Sequence, residues 1–459
     1  MRIPPLPAFP PGFLWGASAS AFQTEGAAGT DGKGPSGWDA FAARPGRIKD
    51  GADGSLGTGF YDRYREDVAL LAGLGAGAFR FSVSWPRVVP DGSGALNPAG
   101  LDFYDRLVDE LCDRGITPAP TLYHWDTPLA LEKDGGWLNR DTAYRFADYA
   151  GAVAERLADR VPMWITINEP AEVTLLGYAL GEHAPGRKLL FDALPAAHHQ
   201  LLAHGLAVGA LRAAGASNIG IAVSHTPVWT AGESEEDRFG AGLYDTVSNW
   251  LFADPLLTGA YPDENFAALM PGPVADDLEI ISAPLDWYGV NYYNPTLVGA
   301  PAPQALDTFA GFGIPSELPF GIREIDGYDV TDFGWPVVPD GLRDMLIQLE
   351  SRYGDRLPPL YITENGCSYD GVRDSRRIDF LDGHLRALHA AMAEGVDVRG
   401  YFTWSLTDNF EWIEGNAQRF GLVHVDYETM RRTPKDSYRW YREVIRSSQA
   451  GRPYEHPQK

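Results

Sequence analysis

The chain has 459 residues, of which 62 are acidic and 38 basic, giving a formal net charge of −24. A surface that acidic repels phosphate backbones and anionic headgroups, which disfavours nucleic-acid and membrane partners and suits a small neutral or cationic ligand. Its proline-punctuated start, MRIPPLPAFP, lacks the apolar core of a secretory signal, no eighteen apolar residues run together, and Cys112 and Cys367 make no disulfide framework, so a cytoplasmic protein is expected.

Short apolar runs at 13–17, 78–83, 117–123, 163–167, 219–223, 287–290, 360–363 and 401–404 follow one another along the chain. Each is apolar on both faces, as a fully buried parallel strand must be. Helix-period segments lie between them, for example 61–74, 101–114, 140–158 and 378–394. Eight strands with intervening helices predict an α/β fold, one (β/α)₈ barrel over residues 1–459, with no linker dividing it. Glycine, proline and charge dominate 24–57, 171–196, 295–330 and 405–436. The first, second and last of these follow predicted strands and are expected to build the active-site rim. The stretch 295–330 predicts a long surface loop or lid.

Polar residues gather at the ends of the apolar runs. Gln23 and Glu25 follow the first, Arg80 lies in the second, and the third runs into His124 and Asp126. The fourth runs into Asn168 and Glu169, the sixth into Asn291, Tyr292 and Tyr293, and the seventh into Glu364 and Asn365. The eighth ends at Trp404, followed by Asp408, Glu411 and Trp412. Any one of these is ordinary as a hydrogen-bonded polar residue. So many on the one rim where barrel enzymes keep their chemistry point to a site. The chain has no HExxH, no paired CxxC, no GxSxG elbow and no phosphate-cradling glycine loop, and His198, His199 and His204 have the spacing of an apolar helix. A reaction without metal or organic cofactor is therefore expected. What remains is a pair of strand-terminal glutamates, the requirement for cutting an acetal.

Five motifs then fall in order along the chain. They are FLWGASASAFQTEGA from Phe13, ITINEP at 165–170, YITENG at 361–366, WSLTDNFEW at 404–412, and the closing RFGLVHVDY with RRTPKDSY around Lys435. Together they resemble family 1 of the glycoside hydrolases, the β-glucosidase and β-galactosidase group, from about residue 13 to 441. The resemblance implies a retaining β-glycosidase, foremost a β-glucosidase, working by double displacement on β-glycosides or short oligosaccharides, with a place in cellulose degradation. It implies Glu169 as acid/base and Glu364 as nucleophile, with Arg80 and Tyr293 flanking Glu364. It implies that Gln23, His124, Asn168, Glu411 and Trp412 hold hydroxyls of the terminal sugar, that Trp404 is the platform under it, and that Trp335 lines the leaving-group site. Asn291, beside Tyr293, would support the pocket.

Elementary electrostatics agrees with those roles. A guanidinium and a phenol beside Glu364 would favour its charged form, and that charge would keep Glu169 protonated until the sugar esterifies Glu364. Retention further implies carboxyl groups about 5–5.5 Å apart. Glu411 speaks for an unphosphorylated sugar, because relatives acting on 6-phosphosugars lack it. Two departures stand near the pocket motifs: Asn416 where an aromatic is usual, and Pro336 after Trp335. A transglycosidase would need the same residues. A sugar-binding barrel without catalysis would not need the acid/base pair.

Overall fold

The architecture follows from the eight doubly apolar runs, which can bury both faces only inside a closed parallel sheet ringed by helices. In a computed structural model, residues 4–456 are described apart from 302–305, 307, 310–311, 314 and 316. The strands are Leu14–Ser18, Ala78–Ser82, Thr117–Tyr123, Trp164–Asn168, Ile219–Ser224, Tyr288–Asn291, Leu360–Asn365 and Val398–Trp404, closed into a barrel with the first paired to the eighth. That closing pair is parallel and in register from Leu14 opposite Gly400 to Ser18 opposite Trp404.

One end of the barrel is plugged by side chains of unequal size. Ala78, Ala119, Met163, Ile165, Ala222, Trp287 and Phe402 form a separate buried cluster there. Phe402 packs so closely on Gly16, and Trp287 on Gly220, that a Cβ on either glycine would lie 2.4 Å from the ring. Small residues opposite large ones let the barrel interior reach interior packing density. The outer helices are amphipathic for the complementary reason. Pro98–Asp113 starts with a proline in its first turn and buries Leu101, Tyr104, Val108 and Leu111 along one stripe. No helix among the described residues is long and apolar enough to cross a membrane.

The glycine- and proline-rich segments hold more structure than their composition predicts. Segment 24–57 contains the helix Gly37–Ala42, opened by a reciprocal cap in which Ser36 Oγ accepts from Asp39 N and Asp39 accepts from Ser36 N at 2.6 Å. Segment 171–196 begins as a π-helical stretch, Val173–Leu180. Segment 405–436 ends in a hairpin of Val423–Asp426 and Arg431–Pro434. The surface loop expected at 295–330 is instead tied down at both ends. Thr296–Gly299 pairs with Gly321–Arg323 and with Val228–Thr230 in a small sheet outside the barrel, and Thr308–Phe309 pairs with Phe312–Gly313. Strands of two to four residues carry too little alternation to be read from sequence, and tertiary packing decides them. Part of the expected lid lies outside the described residues.

Candidate active site

The carboxyl ends of the strands deliver the polar residues to one cavity of about 290 Å³. Its wall includes Glu169, Glu364, His124, Tyr293, Trp404, Glu411, Trp412 and Trp335. Four other expected site residues, Gln23, Arg80, Asn168 and Asn291, are fully or almost fully buried and stand behind that wall. Each hydrogen-bonds to a residue of the wall or to another of the four.

Glu364, on the seventh strand, is 3% exposed and has both oxygens engaged. Arg80 Nη1 donates to Oε1 at 2.6 Å, and Tyr293 Oη donates to Oε2 at 2.8 Å. The guanidinium is itself fixed: Nε donates to Thr121 Oγ1 at 3.1 Å, Nη1 also to Thr363 O at 3.0 Å, and Nη2 to Asn168 Oδ1. A buried ion pair is tolerable only with its remaining hydrogen-bonding groups satisfied, and here they are. Burial and the negative charge of Glu364 push the Tyr293 phenol well above its usual range, so it stays a donor. After Glu364 the chain continues through Asn365 to Gly366, where a Cβ would lie 1.8 Å from Trp404 O; only glycine lets the seventh strand end so close to the eighth.

Glu169 follows the fourth strand with φ +48°, a left-handed backbone, while its N–H donates to Ala222 O on the fifth strand at 2.8 Å. Asn168 Nδ2 donates to Glu169 Oε2 at 3.1 Å. Burial first, and then the charge of Glu364, raise the Glu169 carboxyl well above the usual carboxylate range. The charge of Glu172, one helical turn further on, adds to the effect. Glu172 also faces the cavity, and sequence reasoning passed it over. An i, i+3 pair shares one face of a helix, but the segment that carries it reads as a loop in the sequence.

Asn168 is the hub of the arrangement. Its Oδ1 accepts from Arg80 and from Asn291 Nδ2 at 3.0 Å, and its Nδ2 lies 3.2 Å from His124 Nε2. An amide N–H can only donate, so Nε2 of His124 is the acceptor and the ring proton sits on Nδ1. Burial and the Arg80 charge drive the His124 pKa well below normal, which keeps the ring neutral. Nδ1–H has no hydrogen-bond partner among the described residues. Asn291 is braced in turn by Thr363 Oγ1, which donates to its Oδ1 at 2.6 Å.

Opposite, Gln23 Nε2 donates to Phe410 O at 3.0 Å and to Glu411 Oε2 at 3.3 Å, with Ser20 Oγ donating to its Oε1 at 2.6 Å. Burial and the Glu364 charge raise the Glu411 carboxyl well above its usual range. Trp404 closes the eighth strand nearly parallel to the His124 ring, centroids 5.7 Å apart. Trp412 packs on Trp125 at 4.5 Å and Trp38 at 4.6 Å. Trp335 stacks on Phe333 at 4.3 Å and meets Tyr293 edge-on at 5.3 Å. Neither Asn416 nor Pro336 is among the residues lining the cavity.

No group of three or more His, Cys, Asp or Glu among the described residues could hold a metal ion. The histidines of the helix Leu194–Ala213 are bound elsewhere: His198 to Tyr261 Oη and Asp277, His199 to Trp137 O, and His204 to Thr166 Oγ1.

Comparison with known proteins bears on the chain as a whole. The family model of glycosyl hydrolase family 1 matches residues 7–450. The thermostable β-glucosidase B of Thermobispora bispora is 47% identical over 449 residues, covering 95% of this chain and 90% of that one. The crystal structure of a psychrophilic β-glucosidase from Micrococcus antarcticus superposes with a TM-score of 0.91 at 46% identity, over 97% of this chain and 98% of that one. A family 1 β-glucosidase from Thermotoga maritima gives a TM-score of 0.89 at 40% identity, over 96% and 98%. The chain belongs to glycosyl hydrolase family 1.

Proposed function

We propose that the protein is a single-domain retaining β-glycosidase with glucose as its preferred terminal, non-reducing sugar. Glu169 protonates the leaving oxygen while Glu364 attacks the anomeric carbon, giving a covalent glycosyl-enzyme. Esterification removes the charge on Glu364, so the proton affinity of Glu169 falls and the same carboxylate deprotonates the incoming water. The observation that carries this reading is the split between the two carboxyls. Glu364 is held by a cation and a phenol, whereas Glu169 is buried beside negative charge, which raises its carboxyl well above the usual carboxylate range.

Neutral His124, Glu411, Trp412, Gln23 and Asn168 are assigned to hydroxyls of the terminal sugar and Trp404 to the platform under it, with Gln23 hydrogen-bonded to Glu411 and Asn168 to His124. Trp335 is assigned to the leaving-group side. Substrates in this reading are short β-glucosides, cello-oligosaccharides among them, without cofactor and without nucleic-acid or membrane partners. The two unbonded cysteines, Cys112 and Cys367, support a cytoplasmic location. Proton NMR of the first-formed sugar tests the mechanism: the β-anomer is expected, and an α-anomer appearing first would remove Glu364 from the role of nucleophile.

A further inference from the structure

The cavity does not end at the two catalytic glutamates. On the side of the fourth and fifth strands it continues along a wall of different character, carrying Leu175, Leu176, Phe191, Tyr244, Phe320 and Ile322. Leu175 and Leu176 belong to the π-helical stretch Val173–Leu180, and Ile322 to the small sheet outside the barrel. Phe320 meets Tyr244 edge-on with ring centroids 5.3 Å apart.

Several polar groups of this part are spent within the protein, although the Ser248 hydroxyl is left without a partner among the described residues. Thr174 Oγ1 donates to Pro170 O at 2.8 Å, and Thr226 Oγ1 donates to Asn294 O at 3.0 Å. His225 uses both ring nitrogens, against Asn249 Oδ1 at 3.0 Å and Tyr288 Oη at 2.9 Å. A second sugar would lay several hydroxyls against this wall with few partners, and each unpaired buried hydroxyl is unfavourable. One ionisable group stands out. Glu172, between Glu169 and the leucines, has the Ser224 hydroxyl as its hydrogen-bonding neighbour, and among the described residues no Lys or Arg lines the cavity.

We propose that this outer part of the cavity is a specificity site for an aromatic leaving group bearing a hydrogen-bond donor, hydroxyl or ammonium, with Glu172 as the group that recognises the donor. The ring would bury against Leu175, Leu176 and Phe320, and the donor would meet the Glu172 carboxylate. Desolvation and the charge of Glu364 raise the half-buried Glu172 carboxyl, which is the condition of an acid that gains from a donor or cation. The inference rests on the β-glucosidase reading above and adds to it which leaving groups are favoured.

Benzylic glucosides provide the test, because a remote para substituent scarcely alters the acidity of the leaving alcohol. kcat/KM would be measured for 4-methylbenzyl, 4-(hydroxymethyl)benzyl and 4-(aminomethyl)benzyl β-D-glucosides, with β-glucosyl fluoride as a leaving group too small to reach Glu172. A hydrogen bond to a charged group predicts a preference of about tenfold for the donor-bearing substrates over the methyl compound. In Glu172→Gln the ammonium preference should collapse toward one, and Ser224→Ala should reduce it. The hydroxymethyl and aminomethyl arms tell a general donor site from a cation site. A wild-type ratio near one overturns the inference without needing any variant, as does a preference that survives Glu172→Gln. If the fluoride is hydrolysed while the ratio is near one, only this inference fails. If no β-glucoside is turned over, the fluoride included, the reading of the reaction fails with it.

Discussion

Two carboxyl groups of the same chemical type share one cavity and are surrounded by opposite things. Glu364 meets a guanidinium at 2.6 Å and a phenol at 2.8 Å. Glu169 meets an amide at 3.1 Å, and burial and the negative charges of Glu364 and Glu172 outweigh the opposing pull of Asn291 and the Arg80 charge. Side-chain identity therefore says nothing about which one attacks and which one carries a proton. The neighbours decide, and each neighbour is placed by a different strand.

Removing either carboxyl is the bluntest way to break the contrast. Glu364→Ala should abolish turnover of every β-glucoside whatever its leaving group, the largest loss expected. Added azide should restore some turnover with inverted product. Glu169→Ala should lose about 10²–10⁴-fold on cellobiose and far less on dinitrophenyl β-glucoside, whose phenolate leaves unaided. Its glycosyl-enzyme should accumulate and be released by azide as the β-glycosyl azide. An equal loss across phenols of graded acidity would remove Glu169 from the role of acid/base. The pH profile carries the same information. A raised Glu169 carboxyl acts as an acid only while protonated, so kcat/KM should fall as pH rises through its pKa, and that alkaline limb should vanish in Glu169→Ala.

The neighbours can be edited more gently. Tyr293→Phe deletes one donor to Glu364, and a hydrogen bond to a charged group predicts a kcat/KM loss of about 10- to 100-fold with the fold intact by circular dichroism. The smallest effect should come from behind the wall. Asn291→Ala leaves Thr363 Oγ1 and one lone pair of Asn168 without partners, predicting about 1–3 kcal/mol lower stability by denaturant melt and a modest loss of activity. A loss from Asn291→Ala as large as that from Tyr293→Phe would mean that Asn291 touches the substrate.

How much of this was legible follows the same division. The barrel strands could be read because burial on both faces leaves an unbroken apolar run, and the proposed catalytic pair could be named because each glutamate stands at or just beyond the end of such a run. Gln23, Arg80, Asn168 and Asn291 could be named, but not their place behind the cavity wall. Whether a polar side chain lines a cavity or braces the one that does depends on distances across neighbouring strands, such as Asn291 to Asn168, 123 residues apart. Glu172 was hidden by its segment, which reads as a loop and folds as a helix. The sheet joining Val228–Thr230, Thr296–Gly299 and Gly321–Arg323 was hidden because its strands are short and its pairing is long-range.

The left-handed backbone of Glu169 sets catalysis against heat resistance. At φ +48° any side chain beyond glycine is strained, by about 1–2 kcal/mol. The position proposed to carry the acid/base is thus one where the chain would fold better with no side chain. Glu169→Gly should melt at a higher temperature than Glu169→Ala, both being impaired, and a difference of the opposite sign would show that the strain is relaxed elsewhere. Any selection for thermal survival that does not also demand turnover would then erode this glutamate early, trading the reaction for a more comfortable turn.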